Sequence, residues 1–275
     1  MNNTIAEKGN IVDQWIFNSY SHLLNTYPEF VVKVVLPFLS IVGSYALFCG
    51  FMFLLEYLDI ELIKKYKIQQ KKFNDKASLI KAVKYLAFNY FVVILPMYIS
   101  FFSIMSFFGF STEPSDIPSS YTMVWQTIVF FFLEDFCHYW FHRWLHTEFG
   151  YKNIHCVHHE FTAPSALSAS YSHPAEVVIQ GMGTFMGPIL FRPHLILLVI
   201  WTNLRQFSAI DSHCGYDFPF ALNNILPSVF GGADFHDFHH RTYNGAYSSN
   251  FIFWDKWMGT CGSYFKSKEK RIKKQ

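Results

Sequence analysis

A His-x-x-His-His pattern occurs twice in the chain, at His155, His158 and His159 and again at His236, His239 and His240, with a His-x-x-x-His pair, His138 and His142, just upstream. Of the 13 histidines, only His22 falls outside the stretch from His138 to His240. At that histidine content a five-residue window would match the pattern by chance about once in ten thousand, so two matches point to a shared task. Neutral imidazole is the commonest protein ligand for transition metals. On a helix, residues three or four apart share a face, so His138 can act with His142, His155 with His158 or His159, and His236 with His239 or His240. Adjacent rings splay apart and can serve different ions. Eight imidazoles exceed the four ligands that close one structural zinc site, and two metal ions are the simpler account. His213, in Asp211-Ser-His-Cys-Gly-Tyr-Asp217, offers a ninth ligand. His173, ahead of Pro174, reads as a ligand, as a support for one or as a helix-entry residue. His22, His146 and His194 are left out of the ligand set; His146 extends the His138/His142 stripe by one turn, but would serve equally to cap or pack that helix.

The elements that must carry these residues are apolar. Hydrophobic residues make up 51% of the 275, aromatics 20%, with 32 Phe, more than a water-soluble domain ordinarily holds. No charge interrupts Val34 to Leu55 or Tyr85 to Phe110, and about 20 such residues cross a bilayer. A third span is expected over 121–140, carrying its histidines out of the hydrocarbon, and a hairpin over 177–204, broken at Gly187-Pro188 and at Arg192-Pro193. The expected fold is all-α: one membrane-embedded helical bundle over 1–275, capped by a histidine-rich di-metal region over 134–262. Eight lysines between Lys64 and Lys84, against none and no arginine from Phe110 to Tyr121, put the lysine loop and the cap on the cytosolic side. The hairpin must then return the third histidine box to the face of the first two. The start, Met1 to Asn10, is polar and does not read as a cleavable signal peptide, and Asn2-Asn3-Thr4 is a glycosylation sequon if lumenal. Five cysteines without a CxxC pair read as reduced thiols. A formal charge of +2 argues against a nucleic-acid partner. The basic end, Arg271-Ile-Lys273-Lys274-Gln275, reads either as a dibasic retrieval signal or as a solvated tail.

The order HYWFH, HCVHH, HDFHH resembles the membrane fatty acid hydroxylase superfamily of di-iron oxygenases, sterol desaturases and hydroxylases among them. Within it, APSALSASYSHPAE over 163–176 and LRQFSAIDSHCGYDFP over 204–219 are similar to the C-4 methylsterol monooxygenases. The likeness spans roughly residues 30–262; the boxes carry the superfamily and the two flanks carry the sterol assignment. It implies metal ligands at His138, His142, His155, His158, His159, His213, His236, His239 and His240. Relatives carry a further histidine four residues from His213, where this chain has Ala209 and Asp217, so Asp217, His173, Asn203 through a water, or water alone are open for a tenth position.

The resemblance further implies two iron ions, O2 as co-substrate, and oxidation of a sterol C-4 methyl group through alcohol and aldehyde to carboxylate, which a separate C-4 decarboxylase then removes. No dinucleotide-binding glycine fingerprint or haem-attachment CxxCH is present, so electrons must come from a partner; the resemblance implies NAD(P)H through cytochrome b5 and its reductase, in the endoplasmic-reticulum membrane. Another sterol or lipid hydroxylase or desaturase is the alternative of the same class, and a non-catalytic membrane metal-binding protein the alternative of another.

Overall fold

The computed structural model describes residues 9–105 and 107–273, and helices account for the regular structure among them, with no β-strand. The sequon at Asn2 and the last two residues of the basic tail lie outside the described residues. Helix α1, Ile11–Thr26, is closed at its start by a capping box between Asn10 and Asp13. Helices α2, Val31–Tyr57, and α3, Lys76–Met105, are each long and apolar enough to cross a membrane, and only 22% and 17% of their apolar windows are buried. Leu47, Phe51 and Phe53 on α2 and Phe91 and Val92 on α3 are more than half exposed. Water would penalise that much uncovered hydrocarbon, and lipid does not. Both helices contain a turn of π-helix, Val31–Val35 and Asn89–Ile94, and α3 begins nine residues ahead of the uncharged run.

Helix α4, Ser120–Leu145, is capped by the Ser119 hydroxyl and runs on into the histidine region. It packs most extensively against α5, Pro174–Phe191, because glycine faces it: a Cβ on Gly183 would lie 3.0 Å from Cys137 Cβ, and one on Gly187 would lie 2.5 Å from a Phe130 ring carbon and 3.1 Å from Phe130 Cα. The Phe130 backbone cannot yield. Gly187→Leu is therefore expected to wedge α4 from α5 and destabilise the protein by about 1–3 kcal/mol, measured as a lower melting temperature of the detergent-solubilised chain.

The expected break at Gly187-Pro188 does not occur. Pro188 lacks the N–H that would reach the Thr184 carbonyl, and the indole N–H of Trp201 donates to that carbonyl instead at 2.8 Å, so α5 continues to Phe191. The chain turns only at Arg192, left-handed at φ 49°, and Pro193 leads into α6, Leu195–His213. His194 and His173 are N-caps: their Nδ1 atoms accept from the N–H of Ile196 at 3.2 Å and of Ala175 at 3.1 Å.

The hairpin of α5 and α6 returns the chain to the histidine face, where α7, Gly232–Thr242, is buried continuously from Ala233 to His240. The lysine-bearing segment packs on the same end, with Ile68 N–H donating to Gly215 O at 3.0 Å and the Gln69 amide to Asp237 at 2.7 Å. The last helix, α8, Gly262–Ile272, is docked rather than solvated. Arg271 forms a fork on Asp234 at 2.7 and 2.8 Å, and the Tyr264 hydroxyl donates to the same carboxylate at 2.9 Å. Arg271 is thus committed to α7 and is not part of a free tail. All five cysteines are free thiols.

Candidate metal centre

Nine histidines converge in two groups within the cap. His142, His146, His155, His159 and His239 form one, and His158, His213, His236 and His240 the other; in each group the ligand atoms lie within 4.8 Å of one another. Helix α4 supplies His142 and, from its C-cap, His146. A π-helical turn, Tyr151–His155, and the 3-10 turn after it aim His155, His158 and His159. His213 ends α6, and α7 supplies the rest. Residues four apart share a group (142/146, 155/159, 236/240), while the adjacent pairs His158/His159 and His239/His240 divide between groups, as helical phase requires.

Hydrogen bonding orients the rings. Nδ1 of His142 donates to Tyr247 O at 2.8 Å, of His239 to Gly245 O at 2.8 Å, of His158 to Tyr171 O at 3.0 Å, of His240 to Phe161 O at 3.0 Å and of His213 to Ala209 O at 2.8 Å. His155 Nδ1 lies 2.9 Å from Glu176 Oε1. With the proton on Nδ1, each Nε2 presents a lone pair, the arrangement by which proteins set the tautomer and aim of a metal-binding histidine. Burial, reinforced by neighbouring imidazoles, pushes His158 and His146 down to about 4 and holds His155, His236, His239 and His240 well below the usual imidazole range. All are neutral at pH 7.

The Nε2 atoms face one another. In the first group the separations are 3.1 Å for His142–His155, His155–His159, His159–His239 and His146–His239, and 3.2 Å for His146–His159. In the second they are 3.2 Å for His158–His213, 2.9 Å for His213–His236 and 3.1 Å for His236–His240. Lone pairs held this close repel unless a cation stands between them. Two nitrogens each about 2.1 Å from one metal and at right angles are roughly 3.0 Å apart, so the spacing fits cis positions around an ion with more than four ligands. An ion held by five or by four of these nitrogens would keep coordination positions for a reactant.

The expected pairing of His138 with His142 is not the one the fold makes. His138 belongs to neither group; its ring centroid lies 5.3 Å from that of His142, and its Nδ1 lies 3.5 Å from Glu134 Oε1 and 3.4 Å from an Arg205 nitrogen. Arg205 pairs with the buried Glu134 at 2.6 Å. His146, set aside in the sequence, takes the place beside His142. The stripe 138/142/146 holds two His-x-x-x-His pairs, and the one at the helix end reaches the other boxes. The candidates for a tenth position are engaged elsewhere: His173 as a cap, Asn203 with Ser40 and Ser44 on α2, and Asp217 with Asn223 and Asn224.

Beside both groups opens a cavity of about 480 Å³, walled by α3, α5 and α6 and reaching His142, His155, His158, His213 and His236. Its lining is mainly apolar. Met97, Met182 and Ile189, at its lipid-facing side, are each more than 40% exposed. The volume is in the range of pockets that enclose a ligand of several rings.

A sequence model of the fatty acid hydroxylase family matches residues 127–260, the part of the chain that carries all nine converging histidines. Methylsterol monooxygenase 2-2 of Arabidopsis thaliana is 40% identical over 82% of this chain and 87% of its own. Methylsterol monooxygenase 1 of Gallus gallus is 36% identical over 97% of this chain and 89% of its own. A protein of Oryza sativa named very-long-chain aldehyde decarbonylase GL1-8 is 38% identical over 91% of this chain and 93% of its own. No solved structure matches. With relatives this similar over nearly its whole length, and with the histidine cap at the centre of the matched region, the chain belongs to the fatty acid hydroxylase family.

Proposed function

We propose that the protein is a membrane oxidoreductase that oxidises the C-4 methyl group of sterol precursors, with two iron ions held by the nine converging histidines. The observation that carries this reading is the junction of the two imidazole groups with an apolar cavity that opens toward lipid-facing helices. The names of the Arabidopsis and chicken relatives support the substrate class. Iron bound in the two groups would supply the activated dioxygen that attack on an unactivated methyl group requires. The chain's own residues supply the rest. Glu176 and the carbonyls of Tyr171, Phe161, Ala209, Gly245 and Tyr247 hold the imidazoles in one tautomer and orientation. The apolar lining excludes water and would hold the sterol rings beside the histidine groups, whose neutral rings would leave a ferrous pair positively charged.

Electrons reach this site from NAD(P)H through cytochrome b5 and its reductase. The lysine segment sits on the same end as the cap, and the positive-inside rule assigns that end to the cytosol, within the endoplasmic-reticulum membrane. A sterol C-4 decarboxylase consumes the acid. The test is to incubate the iron-loaded protein with a 4,4-dimethylsterol, cytochrome b5, its reductase and NADH under air, and to identify products by mass spectrometry. The expected products are the C-4 alcohol, aldehyde and acid, with O2 consumed in step. Unchanged sterol and no O2 uptake would leave only a metal-binding role. The name of the rice relative favours a second reading, action on a long-chain aldehyde; a shortened hydrocarbon from that substrate, with the sterol untouched, would select it.

A further inference from the structure

Three buried oxygens of residues lining the cavity lack a hydrogen-bond donor: Asn89 Oδ1, Glu176 Oε2 and Gln180 Oε1. Their environment makes this unusual. Asn89 is 1% exposed on a helix whose other residues are mostly apolar, and Glu176 is 4% exposed. An unfilled buried acceptor costs about 1–3 kcal/mol, and most such atoms in proteins are paired. The other halves of two of these groups are in use: the Asn89 amide N–H donates to Ser172 O at 2.8 Å, and Glu176 Oε1 meets His155. Glu176 and Gln180 are one turn apart on α5 and share a face. Asn89 begins the π-helical turn of α3, a local widening often found at functional sites.

We infer that Asn89, Glu176 and Gln180 form a hydroxyl-reading station that selects substrates bearing an O–H next to the carbon to be oxidised, the 3-hydroxyl of a sterol. This rests on the sterol reading above and adds the residues that set the substrate's register. The geometry is apt, because the C-3 hydroxyl is on the carbon bonded to C-4 and must lie beside the metal groups whenever a C-4 methyl does. Glu176 touches one of those groups directly through His155. All three free atoms are oxygens, so the single proton of a hydroxyl can fill one of them, and a ketone oxygen, having no proton, can fill none. Sites that hydrogen-bond a substrate O–H reject the analogue without it far more strongly than apolar pockets reject a changed methylene.

The experiment measures equilibrium binding, which needs no turnover, to the zinc-loaded full chain in detergent. The probes are a tritiated 3-hydroxy-4,4-dimethylsterol, its 3-ketone and its 3-deoxy analogue. The unaltered protein is expected to bind the alcohol about 10-fold or more tightly than either analogue. Gln180→Leu, and separately Asn89→Leu, should cut that preference to about 3-fold or less, through weaker binding of the alcohol. Metal content checks that each variant is folded; because Asn89 also holds Ser172, Gln180→Leu decides if Asn89→Leu loses its metals. Equal affinity of the unaltered protein for alcohol, ketone and deoxy forms would overturn the station while leaving the sterol reading intact, and so would a preference undiminished in Gln180→Leu. Failure to bind any of the three would remove the sterol reading and the station with it.

Discussion

His146→Ala is expected to weaken one of the two metal sites until the purified chain holds fewer than two ions, whereas His138→Ala keeps both. His146 Nε2 lies 3.1 Å from His239 and 3.2 Å from His159, inside the five-imidazole group. His138 faces Glu134 and Arg205 instead. Loss of a residue that merely orients a ligand costs about 10–100-fold in metal affinity or activity, so loss of a ligand should cost turnover at least about 100-fold. Metal analysis of the purified variants by mass spectrometry reads the stoichiometry directly. Two ions in His146→Ala and one in His138→Ala would reverse the assignment and restore the pairing that the spacing of His138 and His142 first suggests.

The second large effect is expected outside the histidine boxes, at Asp255. Its carboxylate is fully buried and accepts the backbone N–H of Tyr247 at 3.0 Å and of Ser248 at 2.8 Å, as well as the Thr260 hydroxyl. Those bonds hold the segment whose carbonyls at Gly245 and Tyr247 orient His239 and His142. Asp255→Ala leaves two buried N–H groups without partners, each costing about 1–3 kcal/mol, and frees the strap that aims two ligands of the first group. The expected outcome is a loss of about 2–5 kcal/mol of stability together with about 10–100-fold weaker binding of one metal only. Thermal unfolding with and without metal, and competition with a chelator, measure the two effects. Equal weakening of both ions would show that the strap does not act through His142 and His239.

Much of this protein was legible because its signals are local. The split of His158 from His159 and of His239 from His240 follows from helical phase, and the uncharged runs after Val34 and Tyr85 follow from the hydrocarbon thickness they must cover. Residues distant in sequence were harder to relate. Nothing near Asp255 announces that it holds the carbonyls behind His142, and the fate of Pro188 depends on Trp201, whose indole fills the carbonyl that proline leaves free. Arg271 reads as one charge of a basic tail until Asp234 is found beneath it.

The sequence alone determined that imidazoles at helical spacing would gather into a cluster at the end of a membrane helix bundle, since ligand chemistry, helical phase and hydropathy are properties of short segments. Tertiary structure decided which rung of the stripe on α4 joins the centre, which buried carbonyls and carboxylates aim the rings, and which cavity-lining residues keep a buried oxygen unfilled. Those outcomes depend on the depth at which α4, α5 and α7 pack against one another, and close packing of side chains separated by tens to hundreds of residues sets that depth.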